Sequence, residues 1–463
     1  MPFDDHLRPE TSALYTDLYQ LTMLQAYWRE GMDDAPAVFD LFVRRLQGRN
    51  YLLACGLEQA LEFLETLSFS EAALDYLHDQ EQFDDAFLDW LSGFEFTGDV
   101  YAVPEGTPVF ADEPIVEVVA PIGEAQLVET FLLNQITFQT AIASKACRVV
   151  DAARRDDADR LVADFGMRRM QGTDAAMKGA RAALIAGADA TSNVAAGQAY
   201  DAPITGTMAH SYVEAHDSEL DALRAFAQQY PETVLLVDTY DTLDGVRKVI
   251  DLATDPELDI EVGGIRLDSG DLAALAQQSR RLLDEAGLHD VLILASGGLD
   301  EYAIAELLDR GAPLDGFGVG TKMGTSADHP ALDSAYKLSG YAGEPRMKLS
   351  TEKSNLPGRK QVVRQYENGM AVRDVIATDT EQVSGAPLLE RVMANGQRTE
   401  AGASRPLTAL REHAAARLAE LPARLRALSP DVPPHEVVLS DGLEERRRST
   451  RRALEEEMAA ETS

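Results

Sequence analysis

Residues 262–286, VGGIRLDSGDLAALAQQSRRLLDEA, run from an apolar stretch through a polar turn into a helical pattern. The first six suit a strand buried on both faces, and 271–286 carry apolar residues at helical spacing. The same unit recurs on either side. Apolar segments stand at 161–165 (LVADF), 184–190 (LIAGADA), 204–209, 234–238 (VLLVD), 291–295 (VLILA) and 315–319 (DGFGV). Helical patterns at 172–183, 217–229, 242–252 and 300–310 separate most of them. Buried strands alternating with helices imply an α/β fold with a parallel sheet. About seven such strands favour an irregular parallel α/β barrel over a perfect eightfold one.

Outward from this block the pattern changes. Residues 12–30 have helical spacing, with Leu18, Leu21, Met23 and Leu24 forming an apolar stripe. Residues 36–44 (PAVFDLFVR) alternate as a strand, and 51–67 read as helix. Short strands broken at Pro104-Glu105-Gly106 and Asp112-Glu113-Pro114 precede a long helix at about 124–154. After the block, 335–376 return to short strands, and 406–428 and 441–460 read as helices rich in arginine and glutamate.

The chain has 463 residues, 45% of them hydrophobic, enough for about two or three packed units. Its formal charge is −36, with acidic residues spread along the whole length and only eight lysines. Such a field disfavours nucleic acid and anionic membranes as partners. It also repels anionic substrates, so a phosphate site here must be a local basic pocket. Salt adaptation and a merely acidic surface both account for the charge. The first residues, MPFDDHLRPE, lack the apolar core of a signal peptide, and no apolar run is long enough to span a bilayer. Cys55 and Cys147 make no disulfide framework and no metal pair. A soluble cytoplasmic protein is the expectation.

In a parallel α/β barrel the active site sits where the strands end, with phosphates in the loops after the last strands. That rule selects Phe165 and Arg168 after 161–165, Thr207 and His210 in GTMAHS after 204–209, and Arg266 and Asp268 in RLDSGD. It also selects Ser296-Gly297-Gly298 and Gly318-Val319-Gly320-Thr321 after the last two strands. Glycines there let backbone N–H groups approach an anion, although glycines after strands are more often plain turns. Arg266 and Asp268 stand two apart on a strand end and so share a face. Arginine clamps a carboxylate or phosphate, and aspartate holds Mg²⁺ or ribose hydroxyls; equally, Asp268 or Ser269 could simply cap the next helix. None of the eight histidines has metal-ligand spacing, and no metal ligand set emerges from the protein itself. A lone histidine such as His210 is usually structural, and its place among the other strand-end residues is what singles it out. Residues Val237 to Thr242 (VDTYDT) suggest a strand-end carboxylate and helix cap.

Over roughly residues 12–365 the sequence resembles the nicotinate phosphoribosyltransferase family. The matching stretches are TDLYQLTM at 16–23, FGMRR at 165–169, TSNV at 191–194, GTMAHS at 206–211, VDTYDT at 237–242, RLDSGD at 266–271 and GVGT at 318–321. Gln47, where proline is usual, and Ala175, where glycine is common, depart from the family pattern. The resemblance implies a type II phosphoribosyltransferase fold. Its parts would be an N-terminal α/β domain at 1–140, an irregular barrel with the active site at 141–334, and strands and helices at 335–463 packing back on the N-terminal domain. It further implies a homodimer with shared active sites, using nicotinate, phosphoribosyl pyrophosphate and ATP with Mg²⁺. By the same resemblance His210 is phosphorylated by ATP. Tyr19, Thr207 and Arg266 bind nicotinate, Phe165 and Arg168 lie against the pyridine ring and its charge, and Thr321 contacts phosphoribosyl pyrophosphate. Asp268 would sit near the ribose as positive charge develops there.

Other readings make different demands on the same residues. Quinolinate, with a second carboxylate, calls for more cations than this mouth supplies. Nicotinamide calls for a carboxylate facing its amide, where Thr191-Ser192-Asn193 offers neutral groups. A barrel lyase or aldolase needs a strand-end lysine for a Schiff base, and no strand supplies one. A non-catalytic relative would not need the complete set of His210, Arg266 and Asp268.

Overall fold

The computed structural model describes residues 13–46, 48–156, 158–258, 260–349 and 355–461. Gln47 and the N-terminal stretch before residue 13 lie outside them. The chain divides into two compact units: 1–141 with 331–406 and 412–463, and 142–330 with 407–411.

The first unit is built on a seven-stranded antiparallel sheet. One of its inner strands is Pro36–Val43, flanked by Ser334–Tyr341 and Pro114–Pro121. An inner strand covered on both faces loses the expected alternation, and Phe39 through Val43 are all buried. Asp40 is among them, so it needs a partner; Lys360 Nζ supplies one at 2.7 Å. Aromatic stacking fills the apolar side, with Phe63 on Phe131 at 3.8 Å and Phe39 on Tyr336 at 4.9 Å between ring centroids. A four-stranded sheet completes this unit, holding the fully buried Arg364–Asp374 pair at 2.6 Å.

His413, in this unit, shares a 3.0 Å hydrogen bond with Thr107 Oγ1. Burial, with Arg405 and Arg417 nearby, lowers its ring to about 4. Below about pH 6.5 the unfolded chain takes up a proton that the folded ring refuses, so stability falls between about 6.5 and about 4. His413→Gln should therefore lose about 1 kcal/mol less than the parent between pH 7 and 5, the ring being partly solvated. Urea midpoints at the two pH values measure this.

The second unit is an α/β half-barrel: six parallel strands in a curled sheet, with helices after most of them. Across the sheet the order is Ala190–Thr191, Leu161–Asp164, Gly316–Val319, Leu292–Ala295, Val262–Leu267 and Thr233–Leu236. Val162, Leu235, Ile265, Ile293 and Phe317 are fully buried, as two-sided apolar strands require. Two expected strands are corrected. Leu184 and Ile185 end the helix Thr173–Ile185, leaving only Ala190–Thr191 extended; a short apolar run fits a buried helix end as well as a strand. Residues 204–209 form a single parallel bridge, Ile204 to Thr191, and then leave the sheet. They therefore do not close the barrel between Thr191 and Thr233. Cys55 and Cys147 are both buried, and neither is in a disulfide. No helix among the described residues is long and apolar enough to cross a membrane.

Candidate active site

The loop that fails to close the barrel forms one wall of a cleft of about 590 Å³ at the strand ends. Phe165, Arg168, Thr207, His210, Arg266 and Asp268 all line it. Beneath, the buried Asp164 accepts hydrogen bonds from the Gly166 N–H and the Thr191 hydroxyl, each at 2.8 Å. Burial raises its carboxyl above the ordinary range, and these two bonds oppose the rise. They fix the turn that lays the Phe165 ring on Gly318, where a Cβ would fall 2.4 Å from the ring.

Arg266 stands near the end of its strand with a side chain 13% exposed. Its Nη2 donates to the Met208 carbonyl at 3.0 Å and its Nη1 to Ser296 Oγ at 3.4 Å, while Nε is buried with no hydrogen-bond partner. Burial pushes the guanidinium below its ordinary value and Arg168 adds to this, against Asp268 and Asp238. It stays charged, because arginine does not deprotonate in proteins. The bond to Met208 also ties the 204–209 loop to the sheet.

Asp268 sits two residues on, with Oδ1 3.7 Å from Arg266 Nη1 and accepting from the Ser296 hydroxyl. Its Oδ2 lies 3.9 Å from His210 Nε2. It caps no helix: Asp271 caps Leu272–Glu285, just as Asp241 caps Thr242–Thr254. Asp238 is instead the carboxylate that holds the 268–269 turn, accepting from the Asp268 N–H at 3.0 Å and from the Ser269 hydroxyl at 2.6 Å. Sequence patterns assign Asp238 a strand-end place but no partner, because the contact joins adjacent strands 30 residues apart.

His210 is not at a strand end. It opens the short helix His210–Glu214, and its Nδ1 shares a 3.1 Å hydrogen bond with Thr239 Oγ1. Thr207 donates to the Met208 carbonyl at 3.2 Å. Met167, Ser192, Val194 and Ile204 also line the cleft. Only their nearness to selected residues could have signalled them.

The glycine loops come after the adjacent strands Leu292–Ala295 and Gly316–Val319. Gly297 and Gly298 both have positive φ and are exposed, as is Thr321; Gly318 is buried under Phe165. A Cβ at Gly297 would lie 1.9 Å from the Asp268 carbonyl oxygen, so that turn packs on the Asp268 backbone. Gly297→Ala should cost about 2 kcal/mol or more through φ and this clash. Thermal melts measure the loss. Tyr19 belongs to the other unit, on the helix Leu18–Glu30, 47% exposed.

The fold and cleft define an α/β half-barrel protein with an open cleft at the strand ends, where such folds carry their sites. The chain matches the nicotinate phosphoribosyltransferase (NAPRTase) N-terminal domain over residues 14–137 and the nicotinate phosphoribosyltransferase (NAPRTase) family over 161–348. It is 51% identical over 436 residues to nicotinate phosphoribosyltransferase pncB2 of Mycobacterium tuberculosis, covering 94% of this chain and 93% of that one. To the nicotinate phosphoribosyltransferase of Bacillus subtilis it is 44% identical over 387 residues, 81% of this chain and 78% of the other. The crystal structure of human nicotinic acid phosphoribosyltransferase superposes with a TM-score of 0.82 at 28% identity, over 94% of this chain and 99% of that one. The chain belongs to the nicotinate phosphoribosyltransferase family.

Proposed function

We propose that the protein joins nicotinate to phosphoribosyl pyrophosphate, giving nicotinate mononucleotide and pyrophosphate in NAD salvage, with help from ATP. The observation that carries this reading is Arg266. It is a desolvated guanidinium with an unpartnered Nε, in a cleft that also holds Arg168 and the flat face of Phe165. Such a pocket suits an aromatic ring bearing one carboxylate.

The pyridine nitrogen attacks the anomeric carbon of the ribose with its own lone pair. An N–C bond forms, the C–O bond to pyrophosphate breaks, and no proton needs to move. The protein's contribution is positioning and charge. Phe165 stacks on the ring, Arg266 with Arg168 holds the carboxylate, and Thr207 borders the ring. Asp268 faces the ribose as positive charge develops. Ser296, Gly297, Gly298, Gly318, Gly320 and Thr321 make the phosphate side.

Among the described residues no group of three or more His, Cys, Asp or Glu could hold a metal ion. Asp268 alone, 34% exposed, fits Mg²⁺ held mainly by phosphate oxygens and water. Bound that way, Mg²⁺ would neutralise charge on the departing pyrophosphate.

His210 accepts the γ-phosphoryl group of ATP. Thr239 engages Nδ1, and Nε2 faces Asp268. The new bond is Nε2–P, ADP leaves, and water later releases phosphate.

The test is product formation from nicotinate, nicotinamide and quinolinate, each with and without ATP. Nicotinate alone should turn over well, and faster with ATP. Preference for either of the other pyridines would overturn the reading.

Tyr19 completes the site from a second copy of the chain in this reading. Its phenol, raised to about 12 by burial, Glu129 and Asp17, remains a neutral hydrogen-bond donor. Tyr19→Ala and His210→Ala proteins, unfolded and refolded together, should then regain activity well above either parent. Each mixed dimer would carry one intact site. A mixture giving only the average, with mixed dimers confirmed by mass, would rule out sharing.

A further inference from the structure

Two sets of ion pairs join the loops that come after Leu292–Ala295 and Gly316–Val319. The outer one runs from Lys322 Nζ to Asp300 Oδ2 at 2.7 Å. Asp300 uses its other oxygen to cap the helix Glu301–Asp309, accepting from the Ala303 N–H at 2.9 Å. The inner one is Lys145, whose Nζ reaches Glu301 at 2.6 Å and Asp328 at 2.9 Å. Arg148 Nε adds a second cation on Glu301, at 3.0 Å. Asp300 and Glu301 lie just beyond Gly297-Gly298, while Lys322 and Asp328 lie just beyond Gly320-Thr321. Each lysine therefore bridges the same two loops.

Their burial differs sharply. Lys145 and Glu301 are 2% and 0% exposed, whereas Lys322 is 44% exposed. Buried ion pairs contribute little net stability, because desolvation offsets their attraction; their attested use is to fix one arrangement over others. Here the arrangement fixed is the spacing of two glycine loops at neighbouring strand ends. Burial would raise Asp300, yet Lys322, the capped Ala303 N–H and the nearby Lys145 charge hold it below the ordinary carboxylate range. The Asp300 carboxylate therefore stays ionised at neutral pH.

We infer that Lys322 and Lys145, through Asp300, Glu301 and Asp328, are positioning residues that set the separation of the two glycine loops for a pyrophosphate group. The inference rests on the functional reading above and adds residues to its phosphate side. The outer pair is the testable one, since substitution at the buried Lys145 threatens the fold itself.

Inorganic pyrophosphate with Mg²⁺ is titrated by calorimetry into the full-length protein and into Lys322→Met, Lys322→Arg and Asp300→Asn, with nicotinate as the control ligand. Asparagine keeps the helix cap while removing the charge. Lys322→Met and Asp300→Asn should each weaken pyrophosphate about tenfold, the scale of one charged contact, and leave nicotinate within about twofold. Lys322→Arg should recover most of the loss. The Michaelis constant for phosphoribosyl pyrophosphate should rise in parallel while that for nicotinate holds. A lysine that simply touched phosphate would give a different pattern: Asp300→Asn would free it, leaving pyrophosphate affinity equal or tighter. That result, unchanged affinity in folded Lys322→Met, or equal losses for both ligands would overturn the inference. If Lys322→Met does not fold, Asp300→Asn decides alone. A wild-type protein that binds pyrophosphate but makes no nucleotide defeats the functional reading instead.

Discussion

Arg266→Ala should weaken nicotinate binding by about 2–5 kcal/mol, the cost of losing a desolvated charge partner. The size reflects where the guanidinium sits. It is 13% exposed, and its Nε has no protein partner, so a bound carboxylate would meet a donor that water scarcely reaches. Nicotinamide lacks the charge and should lose far less. Arg266→Lys should fall between, keeping the charge but losing the planar fork. Because Arg266 also holds the Met208 carbonyl, part of the loss can come through a loosened 204–209 loop. Calorimetry with both pyridines separates these effects. Equal losses would assign Arg266 to the phosphates or to the fold.

His210→Ala should abolish protein labelling by γ-labelled ATP. The label on the parent protein should be acid-labile and base-stable, as a P–N bond requires. Stimulation of nucleotide synthesis by ATP should vanish with it, while ATP-independent transfer continues, because Arg266, Phe165 and the glycine loops remain in place. Thr239→Val is a milder companion. It removes the 3.1 Å partner of Nδ1 and should slow labelling without eliminating it. Full labelling of His210→Ala would move the phosphoryl group to another residue.

The parallel sheet was legible in the sequence because its strands are buried on both faces. Such strands read as short apolar runs between helical patterns, and Val262–Leu267 with Leu272–Glu285 is the plainest example. Arg266 and Asp268 could be paired because a strand places residues two apart on one side. Legibility failed where the chain leaves periodic structure. Residues 204–209 have strand-like composition, yet only Ile204 finds a strand neighbour. Beyond it the chain is held by side chains, Arg266 on Met208 and Thr239 on His210. Asp238 and Asp164 were equally hidden, since their partners come from other strands. The ion pairs of Lys145 span more than 150 residues, beyond the reach of any spacing rule.

The central claim is that this cleft makes nicotinate mononucleotide, with ATP spent through His210. Its most direct test tracks three products in one tube containing protein, nicotinate, phosphoribosyl pyrophosphate, ATP and Mg²⁺. Nicotinate mononucleotide and pyrophosphate should appear in equal amounts. ADP should accumulate faster than in a tube lacking nicotinate and phosphoribosyl pyrophosphate. No nucleotide from a folded protein would contradict the account, as would nucleotide formed with no ADP above that control.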